Sequence, residues 1–294
     1  MIQKRVSIVF NHHLAGASHA MGFECPEIAA AAVPGTFVMM REVQPRGYLL
    51  NRPFSVGNVD GDTIEIYYDT VGKATHAFAK LDQGDELDVF GPLGNGFTLD
   101  QDVALNLLVA GGIGIAPFPF LAIELAKRKH AARTVVLAGY RSSSQMILED
   151  LFDEIDVEYK VATEDGSRGF KGMVTGLLEQ TLGDASPRGD AKPAGGAGAV
   201  ADEARASGTL AGFVQATRSV AVFGCGPTPM LKRVAEIASE RELFCELSLE
   251  QRMACGVGAC LVCACSTRTS DGGTAYKMVC KDGPVFNARD VVFE

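Results

Sequence analysis

The sequence predicts a multidomain α+β chain: an antiparallel β-barrel, then a doubly wound α/β domain, then a small C-terminal module organised by cysteines. Three observations lead there. Over residues 1–100, apolar positions alternate in short runs punctuated by turn pairs such as Asp60-Gly61 and Gly84-Asp85. From residue 105 the pattern changes to apolar runs alternating with helical stretches, which is how βαβ units read. Near the end, Cys255, Cys260, Cys263 and Cys280 stand at a C-x4-C-x2-C…C spacing.

In the barrel, strands are expected over 5–10, 36–40, 54–58, 63–69 and 86–90, with one short helix near 75–81. The opening run stops at Asn11-His12-His13, too brief and too polar for a signal peptide, and reads as the first strand. The α/β domain is expected to run as strand 105–110, helix 117–129, strand 134–138, helix 143–152, strand 157–162 and helix 173–182. It continues with strand 220–223 and a helix after Pro229. Residues 105–123 carry no charge and reach the ~18-residue length that can span a bilayer. Gly111, Gly112, Gly114, Pro117 and Pro119 break that run into a strand, a glycine loop and a helix opening with proline, so burial in an α/β core is the reading. Residues 183–212 are rich in Ala, Gly, Pro and Ser and read as a surface excursion. Domains are therefore expected over 1–100, 101–246 and 247–294.

Composition narrows the function. The chain has 294 residues, is 47% hydrophobic and carries a formal net charge of -9, as a globular protein with a sizeable core does. Without a basic run or arm, a nucleic-acid partner is disfavoured. Eight cysteines without a secretory signal point to a reducing compartment, hence the cytoplasm, and four of them (Cys25, Cys225, Cys245, Cys265) lie outside the spaced set. The histidines His12, His13, His19, His76 and His130 assemble with no nucleophile and acid, so no catalytic residue is assigned.

The cysteine spacing is how proteins wrap a two-iron two-sulfur cluster. Gly256, Gly258 and Ala259 suit such a loop, because backbone N–H groups must turn toward sulfur with no bulky side chain in the way. A zinc-stabilised binding module is the reading from another class, but zinc ribbons favour two C-x2-C knuckles. Arg52-Pro53-Phe54-Ser55 pairs a guanidinium and a hydroxyl with an exposed aromatic, a set that can hold a flavin pyrophosphate and cover its ring. Downstream, Tyr67-Tyr68-Asp69 ends a strand, and Gly72-Lys73-Ala74-Thr75 opens a helix whose N-terminus would meet a phosphate. Gly111-Gly112-Ile113-Gly114-Ile115-Ala116-Pro117 joins a buried strand to a helix and suits a dinucleotide pyrophosphate. Gly224-Cys225-Gly226-Pro227-Thr228-Pro229-Met230 ends a further strand, where open α/β sheets bind ligands, with Cys225 near the nicotinamide or simply buried. Glu164 or Asp165 can accept a ribose hydroxyl, whereas Arg141 and Arg168 favour a 2′-phosphate.

In this order, the Arg52 to Ser55 motif, Gly91-Pro-Leu-Gly-Asn-Gly-Phe97, the Gly111 loop, Thr163-Glu-Asp-Gly166, Cys225-Gly-Pro-Thr-Pro-Met230 and Met253-Ala-Cys-Gly-Val-Gly-Ala-Cys260 resemble the ferredoxin-reductase superfamily. More narrowly, with Cys280-Lys-Asp-Gly-Pro-Val-Phe286, the chain looks like the electron-transfer subunits of NAD-dependent dihydroorotate dehydrogenases. The resemblance implies FAD on Arg52, Pro53, Phe54, Ser55, Tyr67, Tyr68, Asp69, Gly72, Lys73, Ala74 and Thr75. It implies NAD on Gly111, Gly112, Gly114, Pro117, Gly139, Arg141, Glu164, Asp165, Cys225, Gly226, Pro227 and Met230, and a 2Fe-2S cluster on Cys255, Cys260, Cys263 and Cys280. The implied partner is an FMN-containing catalytic subunit that oxidises dihydroorotate for pyrimidine biosynthesis, in a heterotetramer of two each. Electrons would pass from it through the cluster and FAD to NAD⁺. The rival within this resemblance is a subunit of another NAD(P)H-dependent ferredoxin or sulfide oxidoreductase. Such relatives have an acidic residue among the cluster ligands, and here all four are Cys.

Overall fold

A computed structural model of the chain describes residues 1–44, 47–128, 132–184 and 220–293. From residue 185 on, the expected excursion over 183–212 lies outside them. The first sheet contains β1 (Ile2–His13), β2 (Ser18–Glu24), β3 (Phe37–Glu42), β4 (Arg52–Ser55), β5 (Asn58–Asp60), β6 (Thr63–Asp69) and β7 (Glu86–Leu93), paired antiparallel in the order β4-β3-β7-β1-β2-β6-β5. It curls until β4, at one edge, packs on β6 near the other. Enclosed are Phe23, Met40, Ile64, Ile66, Tyr68 and Val89, joined by Ile28 of α1 (Pro26–Ala31) and Phe78 of α2 (Lys73–Phe78).

Several elements depart from expectation. β1 continues through His12 and His13, which pair with Ala20 and His19, because ladder bonds need no apolar side chain. β2 and α1 were not expected. The β2 sequence Ser-His-Ala-Met-Gly-Phe-Glu masks its alternation with small residues, and Gly22 is required because a Cβ there would lie 2.3 Å from the Phe10 ring. The strand expected over 54–58 is two strands, broken where the Gly57 carbonyl accepts the Phe120 N–H (2.8 Å) and so fastens the barrel to the next domain. The helix expected over 75–81 is α2, starting two residues earlier.

The second sheet holds β8 (Leu105–Gly111), β9 (Arg133–Tyr140), β10 (Glu158–Thr163), β11 (Phe170–Lys171), β12 (Val220–Cys225) and β13 (Phe244–Ser248), all parallel. A separate hairpin, β14 (Ala264–Arg268) with β15 (Thr274–Met278), precedes β16 (Val285–Asn287), which joins β13 antiparallel at the sheet edge. The order is β11-β10-β9-β8-β12-β13-β16. Leu107 and Val109 face α5 (Val174–Asp184) and α6 (Thr228–Glu240), whereas Leu108 and Ala110 face α3 (Phe118–Ala126) and α4 (Glu149–Glu154). Both faces are covered, which is why β8 reads as an unbroken apolar run. Each large side chain buried in these layers contributes on the order of 1.5–3 kcal/mol.

The glycine loop enters a 3-10 turn over Gly112–Ile115 before α3 begins. The single helix expected over 143–152 is a 3-10 turn and then α4, separated at Leu148, whose φ of 65° is left-handed. β13 crosses the expected 246/247 boundary, and α7 (Val279–Asp282) leads back to β16 within the same sheet. Val291 is buried and bridges Thr267. Among the described residues no helix is long and apolar enough to cross a membrane.

Candidate functional site

The strand order reverses between β8 and β12, and a cleft of about 560 Å³ opens there against the barrel. It is lined by Gly111 and Gly112 after β8, Gly139 and Arg141 around the end of β9, Glu164 after β10, and Gly226, Pro227 and Met230 after β12. Asp69 reaches it from the barrel, accepting the Ser18 hydroxyl at 2.6 Å.

Gly114, Pro117, Asp165 and Cys225, assigned to the same site from sequence, do not line the cleft. A Cβ on Gly114 would sit 2.3 Å from the Cys225 carbonyl oxygen, so this glycine allows the loop to pack on β12. Pro117 precedes α3, and its carbonyl accepts the Leu121 N–H. Asp165 turns its carboxylate back to the Ser167 N–H (2.9 Å). Cys225 is 3% exposed beneath the loop, and burial first, the Glu250 charge second, pushes its thiol up. A group so placed packs and does not titrate at neutral pH.

Other lining residues escaped the sequence. Ala17 and Ser18 lie at the start of β2, Met173 and Val174 follow β11, and Glu250 follows β13. β2, β11 and β13 are absent from the sequence reading, which leaves Ala17, Ser18 and Glu250 unplaced; Met173 and Val174 open the helix expected over 173–182, and nothing in their residue types marks them as site residues. Glu250 reaches water on one side, yet the surrounding protein raises its pKa and the Asp69 charge adds to the shift. Arg233 also lines the cleft, held by Glu179, Glu236 (3.1 Å) and Glu240 (3.6 Å).

On the barrel, the Arg52 guanidinium donates to the Leu50 (2.9 Å) and Asn51 (3.2 Å) carbonyls and lies 5.5 Å from the Tyr48 ring centre. Phe54 is not the exposed aromatic expected. It is 8% exposed and meets Tyr68 and Phe78 edge-on, both at 5.6 Å, because its strand turns that face into the barrel core. Tyr67 and Tyr68 are both buried on opposite faces: Tyr67 packs with Ala20 and Ala116 between the domains, and Tyr68 donates to Asn11 (3.0 Å). Thr75 is the third residue of α2, its hydroxyl accepting the Val71 (2.9 Å) and Gly72 (3.1 Å) N–H groups. The first amides of α2, from Lys73 and Ala74, have no carbonyl within the helix to reach and suit an anionic ligand.

The C-terminal thiols form two pairs. Cys255 is hydrogen-bonded with Cys260, whose N–H also points at the Cys255 sulfur (3.4 Å), and the Cys280 N–H points at the Cys263 sulfur (3.5 Å). The Val257 and Gly258 N–H groups reach the Cys255 (3.4 Å) and Cys280 (3.1 Å) sulfurs. Gly256 and Gly258, with φ of 71° and 78°, make those directions accessible. Among the described residues no three ligating side chains close around one point. Two thiols for each of two irons, with amides aimed at sulfur, match the donor set of a 2Fe-2S cluster better than one tetrahedral ion. Burial acts to raise the Cys255 thiol, but the Val257, Cys260 and Ala259 N–H groups outweigh it and bring it down to about 6. Cys280, buried and hydrogen-bonded to Cys263, is pushed up to about 12.

Comparison with known proteins agrees with this geometry. The sequence model of the iron-sulfur cluster binding domain of dihydroorotate dehydrogenase B matches residues 250–292. The chain is 34% identical over 289 residues to the dihydroorotate dehydrogenase B (NAD(+)) electron transfer subunit of Caldanaerobacter subterraneus, covering 98% of each chain. To that of Geobacillus thermodenitrificans it is 35% identical, covering 99% of this chain and 98% of the relative. Among solved structures, an NADH-dependent reduced ferredoxin-NADP oxidoreductase superposes with a TM-score of 0.75 at 26% identity, over 98% of this chain and 89% of the other. A Neisseria gonorrhoeae ferredoxin NADP+ reductase with bound FAD and NADP shares the fold, with a TM-score of 0.63 at 16% identity over 84% of this chain and 99% of that one. The chain belongs to the family of electron-transfer subunits of NAD-dependent dihydroorotate dehydrogenase B, on a ferredoxin-reductase fold.

Proposed function

We propose that this chain carries FAD and a 2Fe-2S cluster and delivers to NAD⁺ the electrons taken from dihydroorotate by an FMN-containing catalytic subunit. The assembly is a heterotetramer of two copies of each, working in the cytoplasm in pyrimidine biosynthesis. The observation that carries this reading is the adjacency of two thiol pairs, the barrel and a cleft at the switch point. A Cβ on Gly256 would lie 2.9 Å from Met39 of β3, so the cluster loop rests on the barrel itself.

Bound here, FAD converts between single electrons and a hydride, and the cluster carries single electrons between flavins. Arg52 supplies the charge for the flavin pyrophosphate, and Lys73, Ala74 and Thr75 supply amides at the start of α2. Pro53, Phe54, Ser55, Tyr67, Tyr68, Asp69 and Gly72 shape the remainder of that face. Phe54 does so as a core residue that fixes strand β4. Gly111, Gly112, Gly139, Arg141, Gly226, Pro227 and Met230 cradle the dinucleotide, with Gly114, Pro117 and Cys225 supporting the loop from behind. Leu261 and Val262 stand 64% and 53% exposed beside Cys260, so the catalytic subunit is expected to dock on this face.

Anaerobic purification of the full chain tests the reading. FAD, iron and sulfide should be present in stoichiometric amounts, with an FMN-carrying protein co-purifying. Cys255→Ala should lose iron and keep FAD. Stoichiometric zinc with no flavin would reject it.

A further inference from the structure

We propose that Met39 is the positioning residue across which electrons pass between the cluster and the flavin. Its side chain fills the space between the loop that begins at Cys255 and the strand that carries Arg52-Pro53-Phe54-Ser55. The inference rests on the cofactor reading above. For each NAD⁺ reduced, two single electrons cross from the cluster side to the flavin side, and NAD⁺ takes both with one proton to give NADH. No bond forms or breaks at Met39.

The alternation of two neighbouring strands defines the position. On β3, Val38 and Met40 point into the barrel core, and on β4 so does Phe54, the cross-strand partner of Val38. Met39 and its own partner Pro53 therefore share the outer face, where directly opposed side chains stand about 4.5–5.5 Å apart. Outer positions of a barrel are ordinarily wet, and Pro53 is half-buried. Met39 has no exposed surface, because the C-terminal module covers it: it belongs to one buried group with Leu93, Val279, Cys263 and Cys280. A Cβ on Gly256 would lie 2.9 Å from the Met39 Cγ and 3.5 Å from its sulfur, so the thioether packs on the loop one residue beyond Cys255. Leu93 supports the same loop, 3.2 Å from that Cβ, but from β7, on the side of β3 away from β4. Of the two, Met39 alone borders the flavin strand. Electron transfer weakens steeply with distance and wherever a gap replaces packed atoms, and an unbranched, polarisable thioether fills such a space closely.

The test uses the anaerobically purified full-length holoprotein, mixed rapidly with NADH. Absorbance times the bleaching of flavin, and paramagnetic resonance of freeze-quenched samples times the arrival of the electron at iron. Met39→Ala leaves a cavity that its neighbours only partly close. It should leave bleaching unchanged and slow the arrival several-fold, with the midpoint potential of the cluster as in wild type. Met39→Leu, which conserves volume, should restore most of the wild-type rate. Leu93→Ala is the control for packing: it should lower the urea midpoint as Met39→Ala does, yet leave the arrival rate near wild type. The assignment is overturned if Met39→Ala transfers at the wild-type rate, or if Leu93→Ala slows transfer equally. If Met39→Ala sheds its iron, Met39→Val and Met39→Leu carry the comparison, and equal rates in those two would overturn it as well. Wild-type holoprotein whose flavin NADH does not bleach would instead refute the cofactor reading.

Discussion

At Cys255 and Cys280 one loop produces thiols of opposite character. N–H groups overcome burial to hold Cys255 near 6, while burial and the Cys263 contact push Cys280 up to about 12. A lowered pKa means that the thiolate dominates above that value, so at pH 7 Cys255 is charged and Cys280 is not. In the cluster-free chain, alkylation mapped by mass spectrometry should modify Cys255 first, at a rate that rises through about pH 6 and then levels. Cys225 and Cys245, buried and raised, should stay unmodified until the fold opens. A Cys255 rate still climbing at pH 8 would contradict this electrostatic account. The identities of these residues were legible because cluster spacing is local chemistry. The interior position of Phe54 was not, since it depends on Tyr68 and Phe78 brought in from other elements.

Strand ends and glycines position the cleft. Gly114→Ala would place a methyl group 2.3 Å from a carbonyl oxygen and 2.6 Å from its carbon, and backbone cannot yield as a flexible side chain can. It should cost about 1–3 kcal/mol or more. Thermal melts should record the loss together with ADP-ribose binding, while cluster content stays unchanged. Gly112→Ala, with φ of 55° and nothing within 4 Å of the new Cβ, should cost only the left-handed strain of about 1–2 kcal/mol. Equal melts for the two variants would show that the close approach to Cys225 does not matter. The glycine loop, β8 and the β12 end were readable because apolar runs followed by glycine have few alternatives. β2 and β11 were not. One hides its period behind Gly22, and the other is only Phe170–Lys171, too short to carry a pattern.

For the whole molecule, the division into barrel, α/β domain and cysteine module was legible, but the way they are fastened was not. Glu246 of β13, 9% exposed, accepts the Thr98 N–H (2.8 Å) and hydroxyl (2.7 Å), fixing the segment that leaves the barrel. The Asn95 side chain donates to the Asp282 carbonyl (3.0 Å), and the Ala288 N–H to the Cys245 carbonyl of β13 (2.9 Å), so the cluster module is held by both neighbours. Glu246→Ala leaves two donors unpaired and should lower unfolding free energy by about 1–3 kcal/mol in urea titrations. A midpoint equal to wild type would contradict that role. These fastenings make one relay of three modules, and electron paramagnetic resonance of the NADH-reduced, anaerobic holoprotein tests it most directly. The wild type should show the signal of a reduced two-iron cluster, and Cys280→Ser should lose that signal while its flavin still bleaches. A flavin that bleaches with no iron signal in the wild type, or a signal untouched by the substitution, would contradict the account.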